Sequence, residues 1–380
     1  MEEMFVKDRL RLLLKHFGDV TDPRDPAKVM SPMWEVLFLV TCASIAGCDD
    51  YDEIADWGAH HLDVLKEHSE YYFGTPKENW LRTILSRIDP ALFEASFMAW
   101  ATALRPDAPS LLALDGKTLR RSGDSASGQK PLHLVSALAS TQRLVLSQEA
   151  VDAKKNKWDA ILSILERLSI KEALVTIDAI ATNATVAQAI TDRGGNYVLA
   201  LKRNQPTLHD DVTRYFEDPE TTGLETVETT DKDHGRIETR STTVSHDVAR
   251  LQSDRRYPDE PRFPGLNTLV RTTTRTEHRG KVTEETRYFL SSAILGPERA
   301  AEAIRGHWGI ESMHWVLDAI FKEDQSRLRK GHGAQNMALV RRLAFNIVRA
   351  GRGKRSIKTT LKVAGWDPTV IGQLIASPNH

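Results

Sequence analysis

Cysteine is almost missing from this sequence: among 380 residues only Cys42 and Cys48 occur, and both are expected in one helical stretch. They form no framework of spaced pairs, so neither a disulfide scaffold nor a cysteine zinc site is indicated, and a reducing cytoplasm is the expected compartment. Long hydrophobic runs are missing too. The longest, Val36 to Ala46, is much shorter than the roughly 20 residues a bilayer demands, so no membrane partner is expected. Met1-Glu2-Glu3-Met4 lacks a basic region followed by an apolar core, and no signal peptide is indicated. An excess of one charge is likewise lacking, with a net charge of -1, although a neutral total can hide a basic face. One absence is local. From Gln325 to Trp366 there is no Asp or Glu, whereas Arg327, Arg329, Lys330, Arg341, Arg342, Arg349, Arg352, Lys354, Arg355, Lys358 and Lys362 all lie there. A solvated helix surface usually carries both signs, so this segment is expected to face phosphates.

What is present is an ordinary soluble balance, 27% charged and 41% apolar, which excludes wholesale disorder. The length allows two or three domains. Residues 1 to about 105 have helical periodicity. Ser31-Pro32 is a start signal for an apolar helix from Met33 to Ala46, Asp50 precedes a second, and Trp80, Ile84, Leu85 and Ile88 mark a third. Trp34, Trp57, Trp80 and Trp100 lie at helical spacing beside leucines and are expected in the core rather than as base-stacking residues.

From Ser110 the period changes. Three short apolar runs, Leu111 to Leu114, Leu132 to Leu138 and Leu144 to Val151, suggest antiparallel strands. A helix over Lys157 to Leu168, a buried strand Ala173 to Ile177, a helix over Thr185 to Arg193 and a strand Tyr197 to Leu201 follow. Strands alternating with helices after an opening meander predict a mixed sheet with helices on its faces, an α/β domain. Residues 222–292 are rich in Thr, Val, Arg and Glu and predict an exposed antiparallel sheet inserted into that domain, with Tyr257 to Pro264 as a loop. Helices are expected again over Ala300 to Trp308, Ile310 to Phe321 and Ala334 to Val348.

The chain is organised around Leu111-Leu112-Ala113-Leu114-Asp115-Gly116-Lys117, a strand that delivers a carboxylate to its own end. Asp-Gly there is also ordinary turn chemistry, and on this stretch alone both readings stand. Asp178 closes the fourth strand, and in such sheets sites form at strand ends. Glu311, His314, Trp315 and Asp318 share one helix face with His307 one turn earlier. Two strand-end aspartates and a helical glutamate make an all-oxygen set that favours Mg²⁺ or Mn²⁺, and a pair of such ions suits in-line phosphoryl displacement. Zinc held by His307, Glu311 and His314 is the weaker alternative, since the His-Glu-x-x-His arrangement is lacking. A structural polar network is a further reading of the same helix stripe. Lys117, Arg120 and Arg121, just past Asp115, are candidates to hold a nucleic-acid strand.

Together, Leu114-Asp115-Gly116-Lys117, Ile177-Asp178-Ala179, Tyr197 to Gln205, His234-Gly235-Arg236-Ile237-Glu238 and His307-Trp308-Gly309-Ile310-Glu311 with His314-Trp315-Val316-Leu317-Asp318 resemble the DDE transposases of the H-repeat-associated, ISAs-type insertion sequences. The likeness runs through nearly the whole chain. It implies a helical transposase-associated domain over residues 1–105 and a ribonuclease H-like catalytic domain over residues 106–380. That domain would carry a β insertion at about 206–293 and a basic helical part at about 325–380. It also implies Asp115, Asp178 and Glu311 as catalytic residues holding two Mg²⁺ or Mn²⁺ ions. The partners would be double-stranded DNA, both the element's terminal inverted repeats and the target, with self-association during synapsis. The location would be the cytoplasm, at the nucleoid. Lys202 and the His234 to Arg240 segment, including Arg236, match motifs for DNA contact or site support, and His307, His314, Trp315 and Asp318 are possible support.

The sequence departs from the family pattern twice. Asp178-Ala179-Ile180 stands where Asp-Ala-Met is common, and Asp318 stands where the wider superfamily has a Lys seven residues past the Glu. The second change keeps Asp318, Glu323 and Asp324 as rival third carboxylates.

Overall fold

In the computed structural model, residues 2–104, 107–151, 156–233, 235–252 and 263–377 are described. The expected domain junction at 105–106, His234 and most of the Tyr257 to Pro264 loop lie outside them.

The amino-terminal part is helical as expected, with α1 (Glu2–Gly18), α2 (Met33–Ile45), α3 (Tyr51–His60), α4 (Leu62–Lys66), α5 (Glu78–Leu85) and α6 (Pro90–Ala103). Helix starts are set locally. Asp50 accepts from the N–H groups of Asp52 and Glu53 at 3.1 and 2.9 Å, and Asp89 accepts from Ala91 at 2.8 Å with Pro90 in the first turn. Trp57 and Trp100 are buried and Trp34 is partly so, but Trp80 is 53% exposed, against expectation. Leu81, Ile84 and Leu85 form the inward stripe of α5, and Trp80 lies about a quarter turn off it.

The sheet begins with β1 (Leu111–Thr118), β2 (His133–Ala139) and β3 (Leu144–Val151), then continues through α7 (Lys157–Arg167), β4 (Leu174–Ile177), α8 (Ala184–Asp192), β5 (Asn196–Leu201) and α9 (Pro206–Glu217). Next come β6 (Glu225–Asp233), β7 (Arg236–Ser245), α10 (Ala249–Gln252), β8 (Thr268–His278) and β9 (Lys281–Ser291). The chain ends in α11 (Pro297–Ala319), α12 (Gly333–Gly351), α13 (Ile357–Trp366) and α14 (Thr369–Ala376). Among the described residues the strands form one nine-stranded sheet in the order β3-β2-β1-β4-β5-β9-β8-β7-β6. β1, β4 and β5 are parallel, while β2 runs antiparallel to β1 and β3 antiparallel to β2. The fold is therefore mixed α/β.

The late strands are antiparallel, as their alternation suggested, but they are not a sheet of their own. β9 pairs with β5 from Val198↔Ser291 to Leu201↔Tyr288, so the polar ribbon extends the main sheet. Its inner ends supply Val244, Val270, Phe289 and Leu290 to the core, and its outer ends are polar and exposed. Residues 206–217, within the expected strand insertion, are the helix α9.

One large apolar cluster joins α2, α6 and α12 to β1 through β5. Glu94 on α6 crosses to β3, where its buried carboxylate accepts from Ser147 Oγ and the Gln148 N–H, both at 2.8 Å. Burial pushes that carboxyl up to about 7 in spite of these donors. The carboxy-terminal helix expected to break near Gly309 is continuous from Pro297 to Ala319. It lies tightly on β1 because Gly306 has no Cβ to collide with Leu111. No described helix is long and apolar enough to cross a membrane.

Candidate active site at the strand ends

Leu114 pairs with Ile177 in the parallel register of β1 and β4. Asp115 and Asp178, the next residue of each, therefore lie side by side on strands about 4.8 Å apart. β4 ends at Ile177, but β1 does not break at Asp115 as expected: it stays paired with β2 through Thr118, so Asp115 stands where the parallel pairing stops and not at the strand's tip. A cavity of about 10 Å³ lined by Asp115, Gly116, Lys157 and Asp178 lies here, about the room one water needs. Each carboxylate has a cation beside it. Burial raises the Asp115 carboxyl, but His314 Nδ1 at 3.5 Å, the Gly116 N–H and Lys157 together hold it below the usual range. Burial and the Asp115 charge raise Asp178, and Lys202 Nζ, 2.9 Å from Oδ1, outweighs them.

Helix α11 brings the third acid. Glu311 is exposed on it and lines a cavity of about 430 Å³ with Asp178, Lys202, Arg287, His307 and Trp308. His307 Nδ1 hydrogen-bonds Thr176 Oγ1 on β4 at 2.9 Å. Burial pushes its imidazole pKa down, while Asp115, Glu311 and Asp178 all pull against that shift. The same imidazole thus feels all three acids. By kind, the carboxylates suit a hard divalent cation, and Lys202 supplies positive charge beside Asp178. Among the described residues no three His, Cys, Asp or Glu side chains stand at ion-holding geometry. The zinc alternative gains nothing, because His307 turns to Thr176 and His314 to Asp115.

One turn beyond, a second charge cluster corrects several sequence expectations. Lys117 is 8% exposed, and its ammonium faces Asp318 at 2.5 Å, Glu323 at 3.1 Å and Asp324 at 3.3 Å, so it is not presented to a strand. Arg342 is fully buried, donating to Glu323 at 2.7 Å, to Ala338 O at 3.0 Å and to Ser136 Oγ at 3.3 Å. Arg341 is also buried and donates to Asp49 O at 3.0 Å. These two arginines sit on the inner face of α12, where the apolar core surrounds them, and cannot meet a phosphate. The same contacts remove Asp318, Glu323 and Asp324 as third carboxylates, since Lys117 holds all three.

The remaining cations are exposed: Arg120, Arg121, Lys202, Arg236, Arg327, Arg329 and Lys330. Arg120 reaches Asp324 at 3.2 Å, Arg236 pairs with Glu238, and Arg329 lies 3.7 Å from Asp124. Trp315 is 65% exposed on the outer side of α11. Sequence reasoning missed Thr176, His133 and Lys157, which reach the site only through tertiary contacts. A faint signal existed for Lys157 alone, a cation in the first turn of a helix, where the dipole disfavours it.

An α/β sheet with acids side by side on two neighbouring parallel strands, and a third on a helix laid across them, frames the candidate site. Comparison gives the family. The Transposase DDE domain model matches residues 106–347 and the DDE_Tnp_1-associated model residues 14–101, and the chain belongs to the Transposase DDE domain family. It is 32% identical over 376 residues to the protein named Putative transposase YncI of Escherichia coli O157:H7, covering 97% of this chain and 95% of that one. It is 31% identical over 376 residues to the H repeat-associated putative transposase YhhI of Escherichia coli strain K12, covering 97% and 98%. A shorter match, 31% over 78 residues and 20% of this chain, is to a protein named Inactive transposase YbfQ from the same strain, 93% of which is covered.

Proposed function

We propose that this chain cuts DNA at the ends of an insertion sequence and joins the freed 3′-ends to a target, on a ribonuclease H-like core formed by β1–β5. The single observation that carries the reading is the register of β1 against β4, which sets Asp115 beside Asp178, with Glu311 crossing on α11. Asp115, Asp178 and Glu311 would hold two Mg²⁺ or Mn²⁺ ions, which supply an activated oxygen nucleophile and stabilise the leaving oxygen. Lys202 holds Asp178 ionised until it is displaced. His314 does the same for Asp115, and Thr176 fixes the ring of His307 against the sheet. The partner is double-stranded DNA, terminal repeat and target alike, bound by exposed cations including Arg327, Arg329 and Lys330, with two copies of the chain meeting at synapsis. The protein would work in the cytoplasm, at the nucleoid.

Asp115→Asn keeps size and hydrogen bonding but removes one charge from the pair. Cleavage of duplexes carrying the inverted repeats that border the coding region should fall about a thousandfold or more, about 4 kcal/mol of barrier, with DNA binding retained. Wild-type cutting by the variant would end the reading. Joined products in the wild-type reaction separate a transposase from a plain nuclease.

A further inference from the structure

Gly116 stands between Asp115 and the buried Lys117, and its Cα is covered from outside by two side chains. A Cβ placed there would lie 2.5 Å from Lys157 Cε, 2.8 Å from Lys157 Nζ and 2.6 Å from His133 Nε2. The lysine therefore reaches over the strand at the site only because residue 116 has no side chain. Its origin is unfavourable. Lys157 is the first residue of α7, behind the Asn156–Asp159 capping box, where the positive end of the helix dipole repels an ammonium. A solvated lysine at that position would turn outward, and this one lines the small cavity between Asp115 and Asp178.

His133 adds a second, independent sign. Its Nδ1 is 2.8 Å from Thr118 Oγ1, while its Nε2 is buried without a hydrogen-bond partner among the described residues. When Thr118 donates to Nδ1, the imidazole proton sits on Nε2 and points an N–H with nothing to receive it at the same spot over Gly116. A buried donor without an acceptor is costly unless a ligand completes it. The Lys157 ammonium and, in that tautomer, an unpaired N–H converge there, one residue from Asp115.

We infer that Lys157 and His133 form an anion-receiving pocket over Gly116 that grips a phosphate oxygen of the DNA strand lying in the site. This rests on the proposed function for the strand, and on the two side chains alone for the pocket. The electrostatic logic is direct. With divalent cations neutralising Asp115 and Asp178, the Lys157 ammonium loses the negative charge it now faces and requires another anion, which a phosphodiester brings. Lys157 is then a positioning cation at the reacting strand, distinct from the exposed cations that track the duplex.

The test uses the full chain and a short DNA duplex, with binding measured across a salt series in Ca²⁺ and cutting measured in Mn²⁺. For Lys157→Met, the slope of log affinity against log salt should fall by about 1, and cutting by about 100-fold, with an unchanged melting temperature. Lys157→Arg should keep the slope, and Gly116→Ala, which pushes both side chains aside, should lower it as Lys157→Met does. An unchanged slope in Lys157→Met overturns the pocket, even if the wild-type protein cuts. A slope that falls while wild-type protein cuts nothing supports the pocket and rejects the cutting reaction instead.

Discussion

Two clusters of charge sit two residues apart on β1, and they are built in opposite ways. Around Lys117, three carboxylates meet an ammonium with three protons to give, and Glu323 is completed by Arg342 on its other oxygen. Lys117, Glu323 and Arg342 are buried and paired with one another. Around Asp115 the count is open. Two acids lie side by side, Glu311 is exposed nearby, Asp178 faces the exposed Lys202, and Asp115 faces the buried His314, whose Nε2 has no hydrogen-bond partner among the described residues. A closed cluster stabilises a structure, whereas an open one stores charge for a ligand. The lesson is that polar stripes on α11 cannot be assigned by residue type. Asp318 and Glu311 share a face of one helix, yet Asp318 meets the buried Lys117 on β1 whereas Glu311 is exposed beside the cavity that Asp178 lines.

Opening the closed cluster should have the largest effect. Arg342→Met leaves Glu323 buried and half paired, and urea unfolding should show a loss of about 3–5 kcal/mol. A loss below 1 kcal/mol would mean that the cluster is not the structural one.

Acid should do the same more gradually. Burial alone would raise the Glu323 carboxyl, yet Arg342 and Lys117 hold it down at about 2, from an ordinary value of 4.5. Because the folded-state pKa is depressed, the stabilisation is full above about 4.5 and is lost as pH falls toward about 2. Melting curves should lose about 3 kcal/mol over that window, and Glu323→Gln should flatten this limb. An equally steep acid limb in the variant would place the titration elsewhere.

The smallest effect distinguishes the two halves of the acid-free segment. Alanine at Arg327, Arg329 or Lys330 should change stability by no more than about 0.5 kcal/mol while lowering the salt slope of DNA binding by about 0.9 per contact. Arg341→Ala should reverse that pattern, costing stability and leaving the slope alone. Finding the slope reduced by Arg341→Ala would put that side chain outside the core.

Much of the architecture was legible because it follows from local chemistry. The apolar runs ending in Asp115 and Asp178 specify strands, Ser31-Pro32 and Asp50 specify helix starts, and the period of Thr185 to Arg193 specifies the helix found at 184–192. The late antiparallel strands were legible as strands but not as members of the main sheet, since alternation says nothing about which edge a ribbon joins. Trp80 and the pair Arg341 and Arg342 were misplaced for a shared reason. Composition counts a residue without its angle on the helix, and a quarter turn is the distance from core to solvent.

Residue order alone carried the mixed α/β class, an aspartate closing each of two apolar runs and an acid on the helix that became α11, because each is written within a few adjacent residues. Tertiary structure alone decided which charges face inward, how Lys157 and His133 come to cover Gly116, and that the polar ribbon continues the sheet. Those contacts join positions tens to hundreds of residues apart, and their energies depend on burial, which no local pattern of residue types encodes.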